Sequence, residues 1–290
     1  MPSAGPRLRS RRGGPLRPFV SAWRRLVAGM ARFLPDDQYV CLLESLRIHR
    51  RLDDALVEVQ LQVSSETELS RLQSVRKEPW TARWIEEFVR PGEVLYDIGA
   101  NVGAYALLAA LLTKRQARVY AFEPAFANYA ALCRNIVLND CADCITPLPL
   151  PLAQRSGWVQ FNYRSLEAGK ALHSMNEQRP GKPHDKAHSR PAYEQSMLAL
   201  QLDELCERFE APSPTHIKLD VDGAELAVLQ GAARVLRSPG LKSVLVELAD
   251  SVLGSVEDIS KCLEAHGLRW HDRYAHPEAG RPQYGLFVRD

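Results

Sequence analysis

The sequence predicts an α/β fold built around a mostly parallel sheet with helices on both faces. Short apolar segments with strand character alternate with longer apolar helical segments from residue 93 onward. A glycine-rich turn, DIGANVG, follows the first of these strands directly. The last 20 residues, HDRYAHPEAGRPQYGLFVRD, predict a closing antiparallel hairpin. A chain of 290 residues is long enough for one domain with a substantial core.

Three regions are expected along the chain. Residues 1–35 predict a basic, flexible tail, because the first 33 residues contain eight arginines and no acidic residue. A short amphipathic helix is expected around residues 19–33. Residues 36–90 predict a helical extension packed on the core, although helix and strand stay ambiguous in the 50s and 60s. Residues 91–290 predict the main domain.

The elements of the main domain follow from apolar period and from turn residues. One helix, at 77–89, is expected just before it and ends at Pro91–Gly92. The helix at 126–139 is expected to stop at Asn139 in a left-handed conformation. We expect strands at 93–99, 117–124, 144–150, 158–163, 215–221 and 242–249, and further helices at 104–114, 223–237 and 256–267. Residues 197–209 run from strand into helix, and residues 164–192 predict a long polar loop.

Composition excludes several classes of protein. The formal net charge of +2 is too small to indicate nucleic-acid binding. No apolar run approaches the roughly 18 residues that a membrane span needs, so a cytoplasmic location is expected, with peripheral lipid contact of the basic tail as an alternative. Cys141 and Cys144 form a lone CxxC without a second ligand pair, which favours reduced thiols over a zinc site.

The turn after the first strand predicts a ligand. Gly99 and Gly103 let the backbone approach a ligand closely, and the helix that starts at Ala104 offers unpaired N–H groups. Glu123 ends the next strand, where an acid can accept both ribose hydroxyls of an adenosine ligand. The G-x-G-x-x-G spacing typical of nicotinamide cofactors is absent. Asp97 also suits a ligand with a positively charged part, such as S-adenosylmethionine.

Three separated blocks resemble the FkbM-type methyltransferases: DIGANVGAYALLAA, VYAFEPAFANYAALCRNIVLN and HIKLDVDGAELAVLQGAARVL. The resemblance covers about residues 77–267 and leaves the basic tail outside. It implies a class I (Rossmann-like) methyltransferase fold and S-adenosylmethionine as cofactor. It also implies an acceptor hydroxyl on a sugar, glycan or small metabolite, since the characterised members mostly methylate such oxygens.

The resemblance implies a cofactor site at matching positions. Glu123 would hold the ribose, and Pro124 with the following helix would close the adenosine side. The residues expected to line the methionine end are Asp97, Gly99, Ala100, Asn101 and Gly103.

The strand THIKLDV carries the candidate catalytic residues. With a period of two, Lys218 and Asp220 share the face opposite Ile217 and Leu219. A central parallel strand is normally apolar on both faces, so two charges near its carboxyl end need an explanation. Either they form an internal ion pair that holds neighbouring loops, or they face the cofactor methyl group and the acceptor hydroxyl.

Further candidates surround this strand. Asp222 and Glu225 predict a capping box at a helix start, with an added active-site role for Asp222 left open. His173, in the long polar loop, is the candidate base or substrate contact. Glu247, at a strand end, is expected to border the pocket. Although Asp220 and Asp222 are close in sequence, no third oxygen ligand is evident, and we expect no obligatory metal.

Other functions compete with O-methylation. The acceptor could instead be an amine, a lipid headgroup or a protein side chain. A nicotinamide oxidoreductase is disfavoured by the glycine spacing and by the lack of a Tyr-x-x-x-Lys pair. A non-catalytic binding domain is disfavoured because the loop, the ribose acid and the Lys218/Asp220 strand are all intact.

Overall fold

A computed structural model describes residues 17–171, 173–177, 191–251, 254–275 and 283–289. The chain forms two compact units, residues 1–47 and residues 48–290. The first unit contains helices α1 (Arg17–Ala31) and α2 (Asp36–Ser45). The amphipathic helix predicted around residues 19–33 therefore corresponds to α1, whereas the rest of the predicted flexible tail, residues 1–16, lies outside the described residues.

The second unit contains the remaining elements. Its helices are α3 (Glu66–Arg71), α4 (Ser74–Lys77), α5 (Pro79–Phe88), α6 (Ala104–Leu112), α7 (Phe126–Leu138), α8 (Leu202–Arg208), α9 (Glu225–Gln230), α10 (Ala233–Arg237) and α11 (Val256–Ala265). Its strands are β1 (Ile48–Arg51), β2 (Gln60–Val63), β3 (Val94–Ile98), β4 (Arg118–Phe122), β5 (Ile145–Leu148), β6 (Gly157–Tyr163), β7 (Ser174–Glu177), β8 (Tyr193–Ala199), β9 (His216–Leu219), β10 (Ser243–Leu248), β11 (Arg269–Ala275) and β12 (Gln283–Val288).

Seven strands form the main sheet in the order β11-β12-β10-β9-β3-β4-β5. The pairs from β5 through β10 are parallel, whereas β12 runs antiparallel to both β10 and β11. The predicted mostly parallel sheet and the C-terminal antiparallel hairpin are both confirmed. Since β3 lies between β4 and β9, the carboxyl ends of these three strands meet at one edge of the sheet.

Alternating strand residues divide the core into two layers. On one face, Leu95 of β3 packs in a cluster that includes residues of α5, α6 and α7. On the other face, Tyr96 and Ile98 join Ile217 and Leu219 in a cluster with residues of α8 to α11. This is the helix–sheet–helix layering that a buried parallel sheet requires. The predicted face of Ile217 and Leu219 is therefore the one that packs under α8 to α11.

The region between residues 48 and 90 is not purely helical, contrary to the prediction for 36–90. β1 and β2 pair antiparallel before α3, α4 and α5 begin. The amide of Asn139 clamps β2, because its Oδ1 accepts from Gln60 N at 2.9 Å and its Nδ2 donates to Gln60 O at 2.7 Å. Asn139 has φ −99°, so it is not the predicted left-handed stop. Asp140, with φ 53°, takes that conformation.

Two further predictions need correction. The helix predicted at 223–237 is divided into α9 and α10 at Gly231, where an added Cβ would lie 2.2 Å from the carbonyl oxygen of Ala153. The predicted loop at 164–192 contains β7, which pairs with β6. β7, β6 and β8 form a separate antiparallel sheet, and the part of that loop at 178–190 lies outside the described residues.

Within the described part of the chain, no helix has the length and apolar character that a bilayer span demands.

The Asn139 clamp leads to a stability prediction. Asn139→Ala should lower the free energy of unfolding by about 1–3 kcal/mol, because the Gln60 N–H and C=O lose their partners in a partly buried place. Urea denaturation followed by circular dichroism measures the change. Val137→Ala on the same helix is the control, since Val137 is 73% exposed and should change stability by less than about 0.5 kcal/mol. Equal effects of the two substitutions would contradict the clamp.

Candidate functional site

The turn between β3 and α6 is shaped for close backbone approach. Gly99, Asn101 and Gly103 all have positive φ, at 88°, 51° and 90°. A Cβ on Gly99 would lie 1.8 Å from the backbone oxygen of Asp220, so glycine is required there. The amides of Gly99 and Ala100 both donate to the carbonyl oxygen of Phe122, at 3.0 and 2.9 Å. The turn is therefore fixed between the ends of β4 and β9.

Glu123 is held at the end of β4 by backbone donors. Its carboxylate accepts from Asn101 N and from Ala125 N, each at 2.8 Å, and the side chain is buried. Burial raises the pKa of Glu123 to about 7, against the opposing effect of these hydrogen bonds. Pro124 separates Glu123 from Ala125 at the entry to α7. Each carboxylate oxygen keeps acceptor capacity for a ligand hydroxyl.

A segment after β6 is fastened to this turn. The carbonyl oxygen of Lys170 accepts from Asn101 Nδ2 at 2.9 Å and from Asn128 Nδ2 at 3.0 Å. Asn128 Oδ1 also accepts from Gly169 N at 2.8 Å. The segment that leads to His173 is thereby tied to the candidate cofactor loop and to α7.

His173 lies on the aromatic surface of this segment. Its ring packs 5.8 Å from Phe161 and 5.5 Å from Tyr163, and its Nδ1 accepts from Arg164 N at 3.3 Å. Burial, with a smaller effect of Arg71, lowers the pKa of His173. Among the described residues, no hydrogen bond or ion pair joins His173 to Lys218 or Asp220. Because Nδ1 is an acceptor here, Nε2 carries the proton of the neutral ring, which argues against His173 as the base.

Lys218 is the buried cation of the site. Its side chain is 2% exposed, and its Nζ lies 3.1 Å from Asp220 Oδ2 and 3.6 Å from Asp97 Oδ1. Burial alone would lower the pKa of Lys218, but the carboxylates of Asp220, Asp97 and Glu78 raise it, so the ammonium stays charged. The Tyr105 ring, 5.4 Å from Nζ, covers it. Lys218 therefore joins the end of β3 to the end of β9.

Asp220 is held from two sides. Its Oδ2 accepts from Lys218 Nζ and from Tyr284 Oη, the latter at 3.0 Å. Its side chain is 24% exposed, in contrast to the enclosed lysine. Asp220 is thus the member of the Lys218–Asp220 pair that an external group can reach.

Glu78 is a further acid near Lys218. Tyr105 Oη donates to Glu78 Oε2 at 2.9 Å, and burial raises the pKa of Glu78.

Asp97 has unused acceptor capacity. Its side chain is 1% exposed, and no described group makes a hydrogen bond of normal geometry with either carboxylate oxygen. Burial raises the pKa of Asp97, while the Lys218 ammonium opposes this effect. A buried carboxylate of this kind is costly unless a donor completes it. An ammonium group of a ligand would supply that donor, so the residues fit S-adenosylmethionine.

Asp222 and Glu225 are not arranged as the predicted capping box. α9 has Ala224 at its N-cap position without a side-chain cap, and Asp222 has a left-handed φ of 55°. Glu225 Oε1 instead accepts from Val221 N at 2.9 Å and from Gly223 N at 3.2 Å. The Glu225 carboxylate therefore stabilises the turn after β9.

Glu247 lies on β10 beside these acids. It is buried, and burial together with Asp220, Glu225 and Asp222 raises the pKa of Glu247 to about 10. The described residues contain no group of three or more His, Cys, Asp or Glu side chains placed to hold a metal ion.

Comparison with known protein families identifies the family of this chain. The family described as the methyltransferase FkbM domain matches residues 97–269, which is more than half of the chain. This chain belongs to that family. It is a methyltransferase with a class I, Rossmann-like fold, and S-adenosylmethionine is its cofactor. The match begins at Asp97 and includes the glycine turn, Glu123 and the Lys218/Asp220 strand.

Two individual relatives are each less than 30% identical to this chain. The chain is 28% identical over 201 residues to the hexuronic acid methyltransferase AglP of Haloferax volcanii, covering 69% of this chain and 74% of AglP. It is 29% identical over 157 residues to the methyltransferase sdnD of Sordaria araneosa, covering 47% of this chain and 59% of sdnD. The precorrin-6Y C5,15-methyltransferase of Geobacter metallireducens has a similar structure, with TM-score 0.44, 14% identity, and 74% and 87% of the two chains covered.

The site also contains residues that sequence reasoning did not select. These are Glu78, Tyr105, Asn128 and Tyr284. Glu78 and Tyr284 lie outside the three motif blocks, and the fold brings Glu78 near Lys218 and Tyr284 to Asp220. Asn128 lies within the second motif block, in FANYAALCRN, and its polar side chain on a helix face shared with Ala131 and Leu132 was an available signal.

Glu123 leads to a prediction about pH. If ribose hydroxyls donate to its carboxylate, S-adenosylmethionine must bind the ionised form, so affinity should rise with pH through about 7 and level off above it. Below that pKa the slope should approach about tenfold per pH unit. Glu123→Gln should remove this dependence of S-adenosylmethionine affinity on pH. Its binding near pH 8 should be weaker by about 1.5–3 kcal/mol for each lost charged hydrogen bond.

Calorimetric titrations of both proteins between pH 6 and 8 make the comparison, with roughly one pH unit between points. Glu257→Gln is the matched control, since Glu257 is exposed and pairs with Lys261. Melting temperatures identify any loss of folding from the disturbed backbone bonds. An unchanged pH profile in folded Glu123→Gln would rule out Glu123 as the ribose acceptor.

Proposed function

We propose that this methyltransferase transfers the methyl group of S-adenosylmethionine to a hydroxyl oxygen of a sugar, a glycan or another small metabolite. The observation that carries the proposal is the partly exposed carboxylate of Asp220, fixed beside the glycine turn by Lys218 and Tyr284. The similarity to AglP, named a hexuronic acid methyltransferase, supports a sugar acceptor.

The cofactor assignment follows from charge and geometry. Asp97 would receive the ammonium of the methionine moiety, and Gly99, Ala100, Asn101 and Gly103 would line that end with backbone. Glu123 would receive the ribose hydroxyls, with Pro124 and α7 on the adenosine side. S-adenosylmethionine supplies a methyl group already activated by its positively charged sulfur. The excess of Asp97 and Asp220 over the single ammonium of Lys218 favours such a cation.

Asp220 would orient the acceptor and take its proton. Methyl transfer is an in-line displacement, in which the acceptor oxygen bonds to the methyl carbon while the carbon–sulfur bond breaks. The hydroxyl proton then needs an acceptor, and a positioned carboxylate provides one. Lys218 and Tyr284 occupy Oδ2 of Asp220, so the other oxygen is the one available for the hydroxyl.

Asp222 and His173 would lie near the acceptor without taking its proton. Asp222, in the turn after β9, contributes negative charge near the acceptor side of the site, as its effect on the Glu247 pKa indicates. His173 would border the acceptor through its Nε2–H, as a donor and not as the base. No metal is required in this scheme, and loss of activity on chelation with recovery in Mg²⁺ would overturn that part of it.

The proposed reaction predicts distinct effects on turnover and on binding. Asp220→Asn should lower the methylation rate by about a hundredfold or more, the usual effect of losing an acid–base group, while S-adenosylmethionine affinity stays near normal. Asp140→Asn is the control, because Asp140 is an exposed acid that pairs with Arg115. Lys218→Met should lower turnover by a similar factor and also lower the melting temperature, since it leaves the buried carboxylate of Asp97 and the partly exposed carboxylate of Asp220 without their cation.

The assay first needs an acceptor. A panel of hydroxylated compounds, including hexuronic acid glycosides, is incubated with methyl-labelled cofactor and analysed by mass spectrometry for methyl ethers. Methylation found only on amines, lipid headgroups or protein side chains would overturn the O-methylation proposal while keeping the cofactor assignment. A purely structural ion pair would instead give Asp220→Asn a lowered melting temperature with an unchanged rate per folded molecule.

A further inference from the structure

The first helix of the chain presents a large apolar face to solvent. Trp23, Leu26, Val27 and Met30 follow the i, i+3, i+4, i+7 spacing of one helix face. Trp23 is 66% exposed and Met30 is 64% exposed, whereas a globular domain normally covers such a stripe. Phe33, just after the helix, is 90% exposed. Within the first unit, no described residue covers this face.

Helix α2 also exposes apolar side chains. α2 has no buried residue, and Tyr39, Val40, Leu43 and Leu46 are all exposed. It also carries acids, with Asp36 and Asp37 in its first turn and Glu44 near its end. α2 is thus less basic than α1.

The charge around the apolar face has one sign. The first 33 residues contain eight arginines and neither an acid nor a lysine. Arg25 lies on the side of α1 opposite Trp23, and Arg32 follows its last turn; both are exposed. An apolar stripe with aromatic and long aliphatic side chains, opposed by arginines, is the pattern of helices that lie in the interface of a bilayer.

We propose that α1 binds the surface of a bilayer containing anionic lipids, with Trp23, Leu26, Val27 and Met30 inserted at the level of the headgroups. Arg25 and Arg32 would contact lipid phosphates. The helix is far too short in apolar length to span, so the protein would lie on the membrane and not cross it.

Two other occupants fit the observations less well. A second copy of the chain would bring two arginine-rich segments together without acids of their own to neutralise them. A nucleic acid would satisfy the arginines but would leave Trp23, Leu26 and Met30 facing water. An anionic membrane accounts for both the apolar face and the charge. The inference is independent of the methyl acceptor.

Sedimentation of the full-length protein with sucrose-loaded vesicles tests the proposal. Binding to phosphatidylcholine vesicles with roughly 30% phosphatidylglycerol should exceed binding to pure phosphatidylcholine vesicles by at least about tenfold and should weaken with salt. The double variant Trp23→Ser/Met30→Ser should lower binding by about tenfold or more. Trp158→Ser is the matched control, because Trp158 is 65% exposed on β6, and it should bind like the wild type.

A charge variant tests the second half of the argument. Arg25→Gln/Arg32→Gln should weaken binding to anionic vesicles by about fivefold for each arginine. Arg155→Gln/Arg237→Gln, at exposed positions of the second unit, should leave it unchanged. Circular dichroism and melting temperature show that each variant is folded.

Several results would overturn the proposal. One is absence of wild-type binding to anionic vesicles, and another is binding that survives in folded Trp23→Ser/Met30→Ser. Tight binding of a single-stranded oligonucleotide without vesicle binding would identify a nucleic-acid contact instead. Self-association in analytical ultracentrifugation that Trp23→Ser/Met30→Ser abolishes, again without vesicle binding, would identify an interface between copies.

Discussion

The ammonium group of Lys218 is the interaction on which the rest of the site depends. It is almost fully buried, and it stays charged because carboxylates from two adjacent strands, Asp97 and Asp220, lie within 3.6 Å of it. A lone charge at such a depth would be too costly to keep, and so would either carboxylate without the lysine. The ammonium of Lys218 and the carboxylates of Asp97 and Asp220 therefore stabilise one another. These contacts join β3, which leads into the cofactor turn, to the end of β9.

Gly99 explains why the glycine turn and the end of β9 lie so close together. An added Cβ on Gly99 would overlap the backbone oxygen of Asp220, so the glycine permits a contact between turn and strand that no other residue allows. The same contact places Asp220 beside the place where the methionine end of the cofactor is expected. Tyr284, from the last strand, then limits the rotation of Asp220. Local backbone geometry and buried electrostatics thus have the same consequence: the carboxylate of Asp220 is held beside the glycine turn.

Much of this could be predicted from the sequence, because its signals are local. The apolar periods of the segments around Asp97 and Lys218 predicted both strands, and the period of two placed Lys218 and Asp220 on a shared face. Signals that depend on tertiary contacts failed. Asn139 was expected to end a helix in a left-handed conformation, yet its amide clamps β2, a role that depends on a strand about 79 residues earlier in the chain.

The remaining errors have similar causes. The spacing of Asp222 and Glu225 fits a capping box, but Gly223 and the left-handed φ of Asp222 turn the chain before α9 begins, and the carboxylate of Glu225 accepts from the backbone of that turn. α9 and α10 are divided at Gly231, whose backbone lies against the carbonyl oxygen of Ala153, a tertiary contact that no local pattern reveals. Glu78 and Tyr284 could not be assigned to the site from sequence, because each reaches Lys218 or Asp220 only through strand order and helix packing.

The most direct measurement is a crystal structure of the protein with S-adenosylhomocysteine and a methyl acceptor found by screening. We expect the ligand amino group to donate to the carboxylate of Asp97 and the ligand ribose to contact Glu123. We also expect the acceptor hydroxyl to lie within hydrogen-bonding distance of Asp220, with the Lys218–Asp220 contact retained. A ligand whose amino group faces away from Asp97 would rule out the assignment of Asp97, and an acceptor hydroxyl out of reach of Asp220 would rule out Asp220 as the base.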